Sequence, residues 1–273
     1  MVSYVFLYNG YKGDAFVGND PFNLTGKRAL VTGASRGIGR AVAVGLAVAG
    51  ADLALQGRDA QALADTVAKV REARPSTQVS THFCDLRDTD GICRLVNDVL
   101  ARGLVDILVN NAGMNIRAPA LSVTEAQWQA VIDTDLRGAF FMAQQVGQHM
   151  VERRQGSIIN ISSVGGLVAL RTGVAYGAAK AGVIQMTKVL AMEWGKYGVR
   201  VNGIAPWYFR TPLSEPVLSD PAYHGEVISR TPLGRVGEVE ELVGPVLFLA
   251  SNAASYVTGH TLTVDGGMSI FGF

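Results

Sequence analysis

Tyr176 and Lys180 stand four apart in the segment Tyr176-Gly177-Ala178-Ala179-Lys180, so a helix there carries both on one face. An ammonium beside a phenol stabilises the phenolate and lowers a pKa that is ~10 in isolation, which makes an inert hydroxyl into an acid or base usable near neutrality. Ser163, just past the β-rich run from Ser157 to Ile161, adds a hydroxyl placed to hold a carbonyl oxygen. Tyrosine and lysine fall four apart on many helices by chance, so the pair acquires meaning only from its company.

That company begins near the other end of the chain. Ala29-Leu30-Val31-Thr32 runs through Gly33-Ala34-Ser35-Arg36-Gly37-Ile38-Gly39 into a helical segment. Gly33 permits a tight exit from the strand, Gly37 lets backbone approach a pyrophosphate, and Gly39 lets the helix pack close to a sheet, while the helix N-terminus presents free N–H groups to the anion. The spacing is GxxxGxG rather than GxGxxG. At the end of the next β-rich run stand Gly57 and Arg58, where an acidic residue would be expected to hold the ribose 2′-hydroxyl of NAD. Arg58 with Arg36 supplies two guanidinium groups for a 2′-phosphate, which favours NADP. Asp59, next in line, keeps NAD as the alternative.

The elements that must position these groups alternate. Strands are expected at Arg28 to Thr32, Asp52 to Leu55, Gln78 to Cys84, Asp106 to Val109, Ser157 to Ile161, Arg200 to Ile204 and His260 to Val264. Helices are expected at Gly37 to Ala49, Ala60 to Ala73, Thr89 to Ala101, Glu125 to Val151, Val174 to Tyr197 and Val239 to Ala250, with Asp88, Ser122 and Thr124 as capping candidates. Continuous apolar runs such as Ile107-Leu108-Val109 suit strands covered by helices on both faces. The pattern predicts an α/β fold, a doubly wound parallel sheet of seven strands in a single domain, residues 24–273, behind an N-terminal extension, residues 1–23. That extension is either an arm that packs on a neighbouring subunit or chain upstream of the true start. The proline-punctuated stretch from Ala205 to Glu238 is expected to be an irregular, mobile lid over a substrate.

Composition narrows the function classes. The chain has 273 residues, 48% hydrophobic and 17% charged, with 24 Lys and Arg against 23 Asp and Glu, so there is no basic footprint for nucleic acid. Apolar stretches are broken before the roughly 20 residues a spanning helix needs, and no membrane partner is expected. Cys84, Cys93 and the four histidines lack ligand or disulfide spacing, so no metal is expected and the thiols point to a reducing, cytoplasmic setting. No secretory signal is recognisable at the start of the chain.

Thr32 to Gly39 (TGASRGIG), Asn110 to Gly113 (NNAG), Ser163 and Tyr176 to Lys180 (YGAAK), in this order, resemble the short-chain dehydrogenase/reductase family. The resemblance implies a Rossmann-type fold and a homotetrameric NAD(P)-dependent oxidoreductase. In it Tyr176 would be the proton donor to a carbonyl, Lys180 would bind the nicotinamide ribose and Ser163 would orient substrate. It further implies cofactor contacts at Gly33, Ser35, Arg36, Gly37, Ile38, Gly39 and Arg58, at Asp85 and Leu86 beside the adenine, at Asn111 and Gly113 against the adenosine ribose, at Pro206, and at Thr211, whose hydroxyl would meet the carboxamide. Two positions depart from the family pattern. Asp135 stands where an asparagine supports a water relay to the lysine; a carboxylate there favours charged lysine but opposes a nearby tyrosinate, and an altered pH profile is expected. Trp207 replaces a glycine, to wall the pocket or to pack beneath the lid.

Within the family the last third of the chain is similar to both gluconate 5-dehydrogenases and tropinone-reductase-like members. Arg117 stands where the sugar-acid enzymes carry arginine, and Arg171 and Arg210 flank the expected cleft, so a carboxylate could be held bidentately. Trp207, Tyr208, Leu167 and Leu170 could instead wall an apolar pocket for a cyclic ketone. The residues favour a secondary alcohol or ketone on a sugar acid or polyol, with NADP(H). A tropinone-like ketone, a 3-oxoacyl substrate, and a cofactor-binding protein without enzymatic activity remain as alternatives.

Overall fold

Alternation along each strand decides which side of the sheet it feeds. In the computed structural model, which describes residues 20–271, β1 (Arg28–Val31) sends Ala29 and Val31 to one face and Leu30 to the other. β2 (Asp52–Gly57) and β4 (Ile107–Asn110) do the same: Leu53, Leu55, Ile107 and Val109 share one core, Ala54 and Leu108 the other. Both faces are therefore buried, which requires helices on both.

α1 (Gly37–Val48), α2 (Ala60–Ala73) and α9 (Val243–Ala250) cover the first face through Leu46, Leu63, Val70 and Leu249. α3 (Thr89–Ala101), α5 (Gly138–Glu152) and α6 (Val174–Trp194) cover the second through Ile92, Val99, Met142, Met150 and Leu190. With β3 (Val79–Phe83), β5 (Gly156–Ile161), β6 (Val199–Pro206) and β7 (Thr261–Val264), the sheet runs β3-β2-β1-β4-β5-β6-β7, all parallel. This is the expected single-domain, doubly wound architecture. Between β1 and β4 the chain reverses its direction of winding, and a crevice opens at the C-terminal ends of the strands, where both groups of candidate residues emerge. Most of the expected extension, residues 1–19, lies outside the described residues.

Three local expectations are revised. The helix anticipated over Glu125 to Val151 is α4 (Glu125–Ile132), then a wide π turn (Asp133–Arg137), then α5. Thr124 caps α4 through a reciprocal pair with Gln127, but Ser122 ends a 3-10 turn, and Asp88 gives its carboxylate to Arg94 at 3.0 Å instead of capping α3. The stretch anticipated as irregular carries α7 (Glu215–Leu218) and α8 (Pro221–Ser229), each opened by a proline at its first turn, where the missing N–H is not needed. Their apolar residues Leu218 and Val227 meet Trp207, Tyr208 and Val236, which gives this segment a small core of its own. Among the described residues no helix is long and apolar enough to cross a membrane, and no group of three acidic, histidine or cysteine residues gathers as a metal site.

Candidate active site

Leaving β1, the chain turns at Gly33 and Gly37 with φ of 63° and 54°, a left-handed conformation that glycine adopts without strain. A side chain on Gly39 would begin 2.3 Å from the carbonyl oxygen of Gly33, so the start of α1 sits directly on the turn; Gly39 itself lies behind the cleft wall. Asn111 locks the turn to β4. Its amide donates to the carbonyls of Thr32 and Gly33 at 2.9 and 3.2 Å, and its backbone N–H donates to Thr32 Oγ1 at 2.9 Å. Gln56 completes the clamp, accepting from Gly33 N–H at 3.0 Å and donating to the Cys84 carbonyl at 2.7 Å.

No side chain caps α1 and its first turn holds no acidic residue, so its N–H groups are free to receive an anion. Ser35, Arg36, Gly37 and Ile38 line the cleft there, and Arg58 faces them from the end of β2. Asp59 is the N-cap of α2 and accepts from Ala62 N–H at 3.0 Å, so the neighbouring carboxylate is engaged with its own helix. Among the described residues neither Arg36 nor Arg58 forms an ion pair. Asp85 and Leu86 line the cleft beyond. Hydrogen bonds from the Arg87 side chain hold the Asp85 carboxyl down to about 2.

At the other end of the cleft, β5 delivers Ser162 and Ser163. Ser162 donates to the Lys180 carbonyl at 2.8 Å, and Ser163 Oγ accepts from Gly165 N–H at 3.0 Å, which leaves the Ser163 proton uncommitted. α6 opens at Gly173, carries Tyr176 in its first turn and buries Lys180 one turn later, with the ammonium 5.5 Å from the Tyr176 ring centre. Lys180 donates to the Ile161 carbonyl at 3.1 Å and pairs with Asp135 Oδ2 at 3.1 Å. The π turn aims Asp135 inward, where its other oxygen accepts from Met114 N–H at 2.8 Å. Gly113 leaves room for this pair, since a Cβ there would lie 2.8 Å from Asp135 Oδ2. Pro206 and Thr211 line the wall opposite.

The remaining wall is aromatic and basic. Arg117 donates to the Tyr208 hydroxyl at 3.3 Å, and Tyr208 in turn meets the Tyr223 hydroxyl at 2.6 Å. Burial and the Tyr223 contact push the Tyr208 phenol up to about 12, so Arg117 faces a neutral partner. Trp207 packs edge-on to Tyr208 and donates to Thr231 Oγ1 at 3.1 Å, both walling the pocket and packing beneath α8. Leu170 joins this wall, whereas Leu167 is half exposed. Arg171, expected to contact substrate, does not reach the cleft. Glu226 on α8 offers an opposite charge at the surface, and Arg171 pairs with it and stacks over Tyr223. Arg210 is likewise taken by Glu238, at 3.0 Å.

The whole forms one continuous cleft of about 360 Å³, the size of a small-molecule site. A family model described as Enoyl-(Acyl carrier protein) reductase, from the short-chain dehydrogenase/reductase family, matches residues 33–269. The chain belongs to the short-chain dehydrogenase/reductase family. It is 43% identical to a gluconate 5-dehydrogenase of Gluconobacter oxydans, over 92% of this chain and 98% of that one. A tropinone reductase homolog of Arabidopsis thaliana is 39% identical, over 92% and 96%. The crystal structure of a gluconate 5-dehydrogenase from Burkholderia cenocepacia in complex with NADP and tartrate superposes with a TM-score of 0.88 at 40% identity, over 92% and 98%. The protein is thus an oxidoreductase of the alcohol/ketone type, with the fold its motifs implied.

For a member of this family, a carboxylate against the lysine is a consequential departure. Burial lifts the Asp135 carboxyl above its ordinary range, against the pull of Lys180 and the Met114 amide. Lys180 is held above its ordinary value although burial alone would lower it, because Asp135 and Tyr176 favour the charged form. Through Lys180 the pair stabilises the fold across the neutral range, and this contribution is lost as pH climbs past lysine's unfolded value and through the raised one; through Asp135, ionisation above the ordinary carboxylate range works against the fold. Replacing Asp135 by asparagine keeps the acceptor for Met114 but removes the anion, so burial then dominates and the lysine value falls. The pH–rate profile of Asp135→Asn is expected to lose its alkaline limb at lower pH than wild type. A superimposable profile would mean that Lys180 does not feel this carboxylate.

Proposed function

We propose that the protein is an NADP(H)-dependent dehydrogenase/reductase that interconverts a secondary alcohol and a ketone on a polyhydroxylated acid such as gluconate and 5-ketogluconate. The observation that carries the substrate class is Arg117, a guanidinium lining the cleft whose hydrogen-bond partner there is a neutral phenol. Carboxylate is one of the anions that such a planar donor fork matches. The gluconate 5-dehydrogenase relatives, one of them crystallised with tartrate, lend support from outside the chain.

The residues fit the cofactor. The uncapped N-terminus of α1 suits a pyrophosphate, Arg36 and Arg58 suit a 2′-phosphate, and Asp85, Leu86, Asn111 and Gly113 would flank the adenosine portion. Pro206, Thr211 and Lys180 would hold the nicotinamide portion. When bound, the cofactor donates or accepts the hydride. The chain does the rest. Ser163, whose oxygen is already engaged by Gly165 N–H, gives its free proton as a hydrogen bond to the substrate carbonyl. Tyr176 donates its hydroxyl proton to the same oxygen in reduction and accepts it back in oxidation, and Lys180 keeps a positive charge beside that exchange. Arg117 and Trp207 hold the far end of the substrate against Tyr208 and Leu170. The family resemblance favours a homotetramer, and the free thiols Cys84 and Cys93 favour a cytoplasmic setting.

Initial rates of NADPH and NADH oxidation with 5-ketogluconate and with tropinone, an uncharged cyclic ketone, test this reading. The wild type is expected to prefer the keto acid and NADPH. Arg117→Ala should raise KM for 5-ketogluconate by about 10-fold or more, the value of a charged hydrogen bond, with little effect on tropinone. Preference for tropinone would move the protein to the apolar-pocket reading, and silence with both would overturn the sugar-acid reading and send the search to another alcohol or ketone. Arg58→Ala should erase most of the NADPH preference and leave NADH turnover in place. Tyr176→Phe should lower kcat by about 10²-fold to 10⁴-fold while a fluorescence titration still shows NADPH binding; retained turnover would remove Tyr176 as the proton donor.

A further inference from the structure

The loop that leaves β4 carries Asn115 between two anchored neighbours. Met114 N–H is tied to Asp135 at 2.8 Å, and Arg117 reaches Tyr208. Asn115 lines the same cleft as Ser163 and Tyr176, yet its side-chain amide forms no hydrogen bond with the described residues, and its Oδ1 is shut away from solvent. A buried acceptor without a partner is a standing penalty that a folded protein rarely keeps without a use. Of the other side-chain atoms in that condition among the described residues, only Asp135 Oδ2 belongs to a residue lining this cleft, and it has the Lys180 ammonium at 3.1 Å.

Its surroundings hold it at the substrate end. The amide lies against Gly173, the residue that opens α6 three positions before Tyr176. Gly173 has φ of 100° and no side chain; a Cβ there would come 3.1 Å from Asn115 Oδ1. The start of the helix that carries Tyr176 and Lys180 is therefore bare next to this amide.

We propose that Asn115 is a specificity-determining residue that bonds a substrate hydroxyl. The chemistry of the partner follows from the group left unpaired. A ketone or a carboxylate offers only acceptors and cannot satisfy a carbonyl oxygen, whereas a hydroxyl satisfies the amide in either orientation, donating to its oxygen or accepting from its nitrogen. Asn115 and Arg117 stand two residues apart on one loop, so a single substrate meets both: Arg117 takes the carboxylate and Asn115 a hydroxyl. The cleft then selects hydroxylated acids over acids of equal length and charge that lack the hydroxyls, because the latter leave the amide unpaired. This rests on the sugar-acid reading above and narrows it.

The decisive comparison is 5-ketogluconate against 5-oxohexanoate, which keeps the same six carbons, carboxylate and ketone but has no hydroxyl. With NADPH, wild type is expected to favour 5-ketogluconate in kcat/KM by about 100-fold, and Asn115→Ala to lose about 10-fold or more on 5-ketogluconate, mainly in KM, beyond its loss on 5-oxohexanoate. Asn115→Ser, which keeps a hydrogen-bonding oxygen, should recover part of that loss, and NADPH titration reports that each variant retains its cofactor end. Equal losses on the two acids, or none on 5-ketogluconate, would overturn the role of Asn115 while leaving the sugar-acid reading intact. A wild type that reduces neither acid but reduces tropinone would overturn both.

Discussion

Everything at the chemical end of the cleft hangs on one buried ion pair. Asp135 is 1% and Lys180 is 4% exposed, and each belongs to a different helix, so their contact at 3.1 Å joins the α4–α5 unit to α6. Two charges so far from water are tolerable only when each is compensated, and here the compensation comes from backbone: the Ile161 carbonyl at the end of β5 and the Met114 amide after β4. The pair thereby fixes β4, β5, the π turn and the tyrosine helix in one arrangement. Removing the Asp135 carboxylate would leave the buried Lys180 ammonium without its counter-charge, so the positive charge beside Tyr176 depends on that pairing.

The nucleotide end is built by a different device, a clamp of neutral amides. Asn111 and Gln56 gather the exits of β1, β2, β3 and β4 around the glycine turn, and no side chain among the described residues caps the first N–H groups of α1. Deeper in the sheet, Asn110 donates to Asn160 at 3.0 Å and Asn160 donates to Thr187 at 2.9 Å, carrying the same kind of neutral bonding from β4 through β5 to α6. One half of the crevice thus presents an uncapped helix N-terminus and the other a buried ion pair beside a tyrosine, and both depend on the parallel order of the central strands.

How much of this was readable from the residues varies with the range of the cause. Local patterns carried the seven strands and the glycine turn, because alternation and φ requirements act within a few residues. The Tyr176–Lys180 pair was readable for the same reason. The π turn was not: the apolar periodicity of Glu125 to Val151 passes through it, and only the packing of Asp135 on Lys180 reveals the extra residue. Arg117 and Arg171 looked alike as candidates, and what separates them is Glu226, 55 residues from Arg171 in the chain. α7 and α8 were masked by prolines that start helices as readily as they end them. Gln56 could have been noticed as a polar residue inside an apolar strand; Asn115 left no pattern at all.

The contact between the Tyr208 and Tyr223 hydroxyls at 2.6 Å couples the inside of the protein to its surface. Tyr208 touches Arg117 in the cleft, Tyr223 sits on α8, and the guanidinium of Arg171 covers the outer face of Tyr223 while its ion pair with Glu226 holds the same helix. Arg117 spends one of its five N–H donors on the first link of this chain, so a displacement of its guanidinium is felt through the remaining links. The position of a guanidinium in the cleft is therefore tied to the exterior of the molecule, through residues that do not line that cleft.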